Sequence, residues 1–315
     1  MTLPVISSPA EYSAIRRDEV VLRPGVEAIL ARHHIDGDVT RFADGSLPVY
    51  AIGETRVLKL YPAVYRSEYE TEAPVLAALA GALPIPTPRI EQVGEHDGWS
   101  YVLMDRLRGE SLATAWPRID ATSRERLLAA LGEALAALHA VPVIPTIGPA
   151  DWCAFVAEQR ATAVECQRAK GLDDAWLAQI PAFLDGTPLD DSAPRVMLHT
   201  EVMREHLLVR EGARGWELSG LFDFEPAMSG AADYELASVG VFVSCGDPRL
   251  LRTLLRAYGY RDLDESFARR ILAYALLHRY SHLRWYIERL PPLDAPTLDA
   301  LAGRGWGTVL VHTRS

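Results

Sequence analysis

Apolar and polar positions follow two regimes along the 315-residue chain. Up to residue 107 the apolar runs are mostly short and bounded by turn residues; from residue 122 onwards most of them recur at helical spacing. Two short helical patterns, over 10–20 and 25–34, open the first regime. Runs at 40–42, 49–52 and 57–61 then follow, separated by Asp44-Gly45-Ser46 and Gly53-Glu54, and predict an antiparallel meander. A helix over 65–81 carries its apolar stripe on Val75, Leu76 and Leu79, and Pro74 places the start of its well-formed part near Glu70. A stiff connector, 83–88, leads into strands at 89–94 and 99–107.

The second regime opens with a helix over 122–140, with Thr122 as cap and Glu125 at the capping-box spacing. Its Leu127, Leu128, Leu131, Leu135 and Leu138 make it a core helix. Helical patterns at 151–169 and 173–184 precede the stretch around which the chain is organised. There a strand over 196–198 delivers His199-Thr200-Glu201, and a second strand occupies 207–209. Its hairpin partner over 218–224 ends in Asp223-Phe224-Glu225, so acidic groups stand at two strand ends. Helices at 233–244, 248–259 and 265–289 complete the pattern. The fold class is α+β, with a sheet-bearing unit over 1–108 and a mostly helical one over 109–315.

Composition narrows the function. A 49% hydrophobic content suits a large core or two modest ones, and a net charge of −10 argues against a nucleic-acid partner, which demands clustered Lys and Arg. An acidic surface favours a cationic small molecule or is simply solvated. Cys153, Cys166 and Cys245 match no metal spacing and read as reduced thiols. The N-terminus lacks a basic start and an apolar core, and no apolar run of membrane-spanning length occurs, so the expectation is a cytoplasmic protein without membrane contact. Nothing in the sequence sets an oligomeric state.

Carboxylates at loop mouths beside an imidazole can hold a divalent cation and accept a proton. Lys59, between Leu58 and Leu60, points to the face opposite its neighbours, within reach of a nucleotide's phosphates, and the turn at Asp44-Gly45-Ser46 offers N–H groups over the same face. Glu68, Glu70 and Glu72 also fit solvated acids at a helix start. His278 and His282, four apart on one predicted helix, form a candidate ligand pair without a carboxylate companion; adjacent His33 and His34 point to different sides of a helix.

His199-Thr200-Glu201, His206 and Asp223-Phe224 together resemble the aminoglycoside phosphotransferase family, hygromycin-B-kinase-like small-molecule kinases of the protein-kinase-like fold. In that family a His-Gly-Asp loop with a later Asn precedes a strand ending in Ile-Asp-Phe. Here Thr200, Glu201 and His206 stand in place of Gly, Asp and Asn. Residues 230–237 resemble the family's Gly-Asp-Pro-x-x-Asp-Leu-Ala, with Ala231 and Glu235 in the two Asp places. The resemblance covers roughly 38–290.

It implies a bilobal kinase that moves the γ-phosphate of ATP or GTP to a hydroxyl of an antibiotic, aminoglycoside-like or nucleoside-like, or a related metabolite, for resistance or self-protection. Lys59, held by Glu72, would bind the phosphates with the amides around Gly45 and Ser46. The hinge from Asp105 to Leu107 would bind the base through its main chain. Glu201 would be the catalytic base with His199 beside it, and Asp223 the main ligand of Mg2+. His206 would be either a further metal ligand, with Mn2+ then admitted, or a support for the loop. Trp152, Glu158 and Glu165 are candidates for the acceptor pocket. The altered loop leaves two alternatives: a nucleotide-binding or substrate-sequestering pseudokinase, and a nucleotidyltransferase.

Overall fold

The computed structural model describes residues 2–190, 192–213 and 215–308, which divide into two compact units. Unit 1 comprises Met1–Gly81, Pro86–Arg108 and Gly220–Pro226; unit 2 comprises Ala82–Ile85, Gly109–Ser219 and Ala227–Ser315. A division at 108 was the expectation. The structure adds 220–226 to unit 1 because that segment is bonded there: Leu221 N donates to Pro86 O at 3.0 Å, and Phe224 N to the Glu72 carboxylate at 3.2 Å.

Unit 1 begins with α1 (Pro9–Ile15) and α2 (Glu19–Arg32), the latter capped by Asp18. The strands β1 (Val39–Arg41), β2 (Val49–Ile52), β3 (Arg56–Tyr61), β4 (Ile90–His96) and β5 (Trp99–Asp105) form an antiparallel sheet in the order β1-β2-β3-β5-β4. The predicted meander is β1 to β3. Buried Leu58 and Leu60 on β3 pair opposite Leu103 and Tyr101, so β3 and β5 make the centre of the core. Lys59 lies opposite Val102 on β5 and Val49 on β2.

Helix α3 spans Arg66–Leu79 and contains Pro74 in its interior, so the expected start near Glu70 is corrected. An interior proline costs about 3 kcal/mol. Val75, Leu76 and Leu79 are all 0% exposed, and burial of each is worth about 2 kcal/mol, enough to hold the helix across the defect.

Unit 2 contains β6 (Glu110–Ser111), α4 (Leu112–Ala115), α5 (Ala121–Ala140), α6 (Trp152–Ala169), α7 (Asp174–Leu177) and α8 (Ile180–Asp185). Strands β7 (Arg195–Leu198), β8 (Leu207–Gly212), β9 (Gly215–Leu221, its last two residues counted with unit 1) and β10 (Met228–Ala231) follow. β7 pairs with β10, whereas β9 pairs with β8 in a sheet ordered β6-β8-β9, so the two predicted strand ends belong to different sheets. Helices α9 (Ala232–Ser238), α10 (Pro248–Tyr258), α11 (Glu265–Leu277), α12 (Leu283–Arg289) and α13 (Leu298–Trp306) complete the unit. α5 and α10 approach so closely at Gly132 that a Cβ there would lie 2.2 Å from Leu254 O.

Several predicted helix ends are corrected by polar side chains. Asp120, not Thr122, caps α5, accepting from Ser123 N at 2.9 Å. The helix expected over 233–244 is α9 followed by a π-helical turn, Val239–Val243. The long helix expected over 265–289 is broken between α11 and α12. Gln167, fully buried on α6, fixes the break by donating to Ser281 Oγ at 2.7 Å and accepting from Leu283 N at 2.8 Å. His278 and His282 therefore end one helix and cap the next, and are not neighbours on a helical face. No helix among the described residues is long and apolar enough to cross a membrane.

Candidate functional site

In unit 1, strand β3, helix α3 and the segment after β9 deliver four charged side chains to one place. Lys59 Nζ lies 2.7 Å from Glu72 Oε2, 2.7 Å from Asp223 Oδ1 and 2.5 Å from Glu225 Oε2. Lys59 is 4% exposed. Burial alone would pull its ammonium down, but Asp223 and Glu72 outweigh that and hold it well above its ordinary value.

Glu72 is fully committed. Besides Lys59 it accepts from Tyr61 Oη at 2.5 Å and from Phe224 N at 3.2 Å. Asp223 sits in the left-handed region, with a φ of 72°, which turns the chain so that Asp223 and Glu225 both face Lys59. Burial pushes the Glu225 carboxyl up to about 7, with Lys59 opposing and Asp223 and Glu72 adding to the shift. Ser46 Oγ donates to Glu225 at 3.1 Å, so the turn with Gly45 at φ 118° is tied to the same cluster. At the end of β5, the N–H groups of Asp105 and Arg106 are spent on Arg89 O and Thr55 O, and the Asp105 carboxylate accepts from Arg89 N at 2.5 Å. Leu107 is the next amide in line.

Three carboxylates meet one ammonium here, so the cluster keeps a negative surplus. Ligand atoms of Glu72, Asp223 and Glu225 lie within 4.8 Å of one another, an all-oxygen set of the kind magnesium prefers. Glu72 is 2% exposed, whereas the Asp223 and Glu225 side chains are 28% and 15% exposed. These residues fit a divalent cation, with Asp223 and Glu225 as the reachable ligands. His206 is not a member of the group.

In unit 2 the loop after β7 is held by its backbone. Glu235 on α9, 0% exposed, accepts from His199 N at 2.6 Å and from Thr200 N at 2.8 Å. Burial pushes the Glu235 carboxyl up, but His139, His199 and the His199 amide bring it below its ordinary value. Thr200 has a φ of 72°, a left-handed conformation that a β-branched residue rarely adopts. It costs on the order of 1–2 kcal/mol, which the two charge-assisted bonds to Glu235 offset.

Glu201 follows, half-buried, its N–H 3.3 Å from His199 Nδ1. His206 Nδ1 donates to Glu201 O at 2.7 Å, and the His199 and His206 rings lie 5.8 Å apart. Arg204, between them, donates through Nε and Nη2 to Val243 O and stacks 3.6 Å over Trp116. Behind the loop, His278 stacks on Tyr234 at 4.7 Å. Burial, reinforced by the Arg279 guanidinium, pushes the His278 imidazole down to about 4, against Glu235 and a hydrogen bond with the Thr200 backbone.

The residues named for an acceptor pocket do not come together. Trp152 is 4% exposed and packs on Tyr234, Tyr274 and Gly230, while Glu158 and Glu165 are exposed, the latter paired with Arg168. Their side chains follow the amphipathic pattern of α6. His33 Nε2 is bonded to Tyr101 Oη at 2.7 Å. Glu225 and Tyr61 were not singled out as site residues. The signal for Glu225 is its place two residues after Asp223, across a fully buried Phe224.

Residues 38–271 match the model of the phosphotransferase enzyme family. Among solved structures, the GDP complex of wild-type aminoglycoside 2'-phosphotransferase-IIIa is similar with a TM-score of 0.68 at 18% identity, covering 84% of this chain and 94% of its own. Macrolide 2'-phosphotransferase type I is similar with a TM-score of 0.58 at 21% identity, over 97% of this chain and 100% of its own. The aminoglycoside phosphotransferase APH(3'')-Id from Streptomyces rimosus gives 0.59 at 16% identity, over 81% and 98%. At these identities the likeness establishes the fold, which is protein-kinase-like and α+β. A comparison with curated proteins finds no match.

Proposed function

Because the chain belongs to the phosphotransferase enzyme family, we propose that it transfers the γ-phosphoryl group of ATP or GTP to a hydroxyl of a small molecule, an antibiotic or a related metabolite. The observation that carries this reading is the buried Lys59, clamped by Glu72 and in contact with Asp223 and Glu225. Lys59 binds phosphate oxygens, and Glu72 keeps its ammonium in place. Asp223 and Glu225 would hold magnesium, which neutralises phosphate charge when bound. The turn at Gly45 and Ser46 supplies further donors to the phosphates, and the main chain at Asp105 and Leu107 binds the base. Structural relatives have been solved with GDP and with ATP, so both nucleotides are candidates.

In unit 2, Glu201 orients the acceptor hydroxyl and takes its proton. A glutamate serves as well as an aspartate in intrinsic basicity, the two lying within about half a pKa unit. His206 supports the loop: its Nδ1–H is spent on Glu201 O, which fixes the peptide that carries the base. His199 adds a second contact from the same loop. Trp152 belongs to the packing and Glu165 to a surface ion pair, so neither is kept for the acceptor.

Incubation with ATP or GTP, magnesium and a panel of hydroxylated antibiotics, read by mass spectrometry, tests this. Solved relatives carry kanamycin, streptomycin or gentamicin, which belong on the panel beside a macrolide and a nucleoside. Gain of one phosphoryl group is expected. Gain of a nucleotidyl group would make the protein a nucleotidyltransferase, and thermal stabilisation without product would make it a sequestering pseudokinase.

A further inference from the structure

Beside the catalytic loop, unit 2 is aromatic and basic. Phe242, in the π-helical turn, lies 4.7 Å ring to ring from Trp285 and 5.7 Å from Tyr286, both on α12. The Arg289 guanidinium sits 4.5 Å over Trp285 and 5.2 Å over Phe242. Arg204 of the loop donates to Val243 O, the residue next to Phe242, and so ties this cluster to the loop; burial, with the Glu201 carboxylate adding to it, raises the Tyr286 phenol. Burial lowers the Arg204 guanidinium, with Arg124 and Arg289 adding to the shift and Glu205 opposing it.

Trp285 is 38% exposed and lines an open cavity of about 490 Å³ with Lys170, His282, Arg284 and Glu288. That volume is in the range of small-molecule sites. Arg284 and Glu288 neutralise each other at 3.1 Å. Lys170 is held over the cavity by donating to Ser281 O at 2.5 Å, and His282 Nδ1 accepts from Trp285 N, which makes Nε2 the N–H of a neutral ring. Among the described residues, no carboxylate lies within ion-pair distance of Lys170, Arg204 or Arg289. With Arg284 and Glu288 paired, the lining of the cavity keeps the charge of Lys170 as its positive surplus. A polycation placed here meets like charge, whereas a flat ring finds the indole face and an anion finds Lys170.

We infer that the acceptor is a hydroxylated compound bearing a flat ring and a negative charge, the ring on Trp285 and the anion on Lys170 and His282, and that a polycationic aminoglycoside is excluded. The inference rests on the phosphotransfer reading for the word acceptor only; the ligand preference stands by itself as a binding property.

Isothermal titration with three probes tests it: 4-nitrophenyl β-D-glucuronide, 4-nitrophenyl β-D-glucoside and kanamycin. The glucuronide should bind about threefold or more tighter than the glucoside, the margin expected of one partly screened charge pair. Kanamycin should bind weakest. Lys170→Ala should erase the advantage of the glucuronide and spare the glucoside, and Trp285→Ala should weaken both aryl glycosides by about tenfold. The melting curve of Lys170→Ala should match the wild type, and Trp285→Ala, which also loses its ring contact with Phe242, should melt lower while remaining folded at the titration temperature. Tighter binding of kanamycin, no binding of either aryl glycoside, or affinities unmoved by the two substitutions would overturn the inference. Failure of the phosphotransfer reading shows separately, as intact binding preferences with no nucleotide-dependent product from any probe.

Discussion

Lys59 and Thr200 are both buried, and each is held by a carboxylate from a helix, but the two carboxylates do different work. Glu72 on α3 grips an ammonium and one amide, inside a cluster whose charges do not cancel. Glu235 on α9 grips two successive amides and leaves no charge exposed. The first arrangement is electrostatic, a cluster of carboxylates that fits a divalent cation. The second is geometric: it sets the path of a strained backbone so that the next residue, Glu201, stands where it does. Exchanging acid for acid of another length is therefore tolerable in the loop only if the backbone is pinned independently, and Glu235, Arg204 and His206 all pin it.

The largest expected effect breaks the electrostatic half. Lys59→Ala leaves Glu72 buried without its cation and should cost about 3–5 kcal/mol of stability in urea unfolding. Lys59→Met combined with Glu72→Gln, which removes the buried charge and keeps an acceptor for Tyr61 Oη and Phe224 N, should recover much of that loss while still failing to use nucleotide. A single variant as stable as the wild type would show the ion cluster to be incidental.

Breaking the geometric half comes next. Glu235→Gln retains one acceptor and turns an amide donor towards the other N–H, at a cost of about 2–3 kcal/mol. Turnover should fall with little change in nucleotide affinity, because the cluster in unit 1 is untouched. Loss of nucleotide affinity instead would remove the distinction between the two halves.

His278 gives the comparison a pH dependence. Its folded value is pushed below the 6.5 of an ordinary imidazole to about 4, so between those values the unfolded chain binds more protons. Stability is complete above pH 6.5 and declines as pH falls towards 4, by about 2 kcal/mol at pH 5. His278→Gln should flatten the unfolding free energy across this window. A wild-type profile without the decline would mean that the ring is not buried neutral behind Thr200.

The smallest effect sharpens the account of strain. Thr200→Gly relieves a left-handed cost of about 1–2 kcal/mol but forfeits buried side-chain atoms and loosens the unfolded chain by a comparable amount, for a net change within about 0.5 kcal/mol of zero. A loss beyond 1 kcal/mol on this substitution, by the same unfolding measurement, would place the stabilising role in the threonine side chain.

Much of unit 1 was legible from residues alone, because strands separated by Gly-bearing turns and an alternating Lys59 are local signals. The family resemblance names Lys59 and Glu72 as a pair and Asp223 as a metal ligand, and the three meet in one ion cluster. Less legible were features decided by contacts distant in sequence. The break between α11 and α12 is written by Gln167, more than a hundred residues earlier, and the periodicity of 265–289 carries no trace of it. The continuity of α3 through Pro74 depends on burial against the sheet, which outweighs local propensity. In sequence Glu225 reads only as part of an acidic strand end and has no role, because the left-handed turn at Asp223 that brings both carboxylates to Lys59 has no local signal in the sequence. The acceptor surface was sought on α6, where Trp152 is bulky and apolar; its bulk turned out to fill the core.

The proposed division of labour between the two units is tested most directly by steady-state kinetics of Glu201→Gln with magnesium, nucleotide and an acceptor that the wild type phosphorylates. Removing the base while keeping its shape should lower turnover by about a hundredfold or more and leave both Michaelis constants near the wild-type values, as expected for a group that acts in the transition state. Undiminished turnover, or an equal loss of turnover and affinity, would contradict the assignment of Glu201 as the proton acceptor.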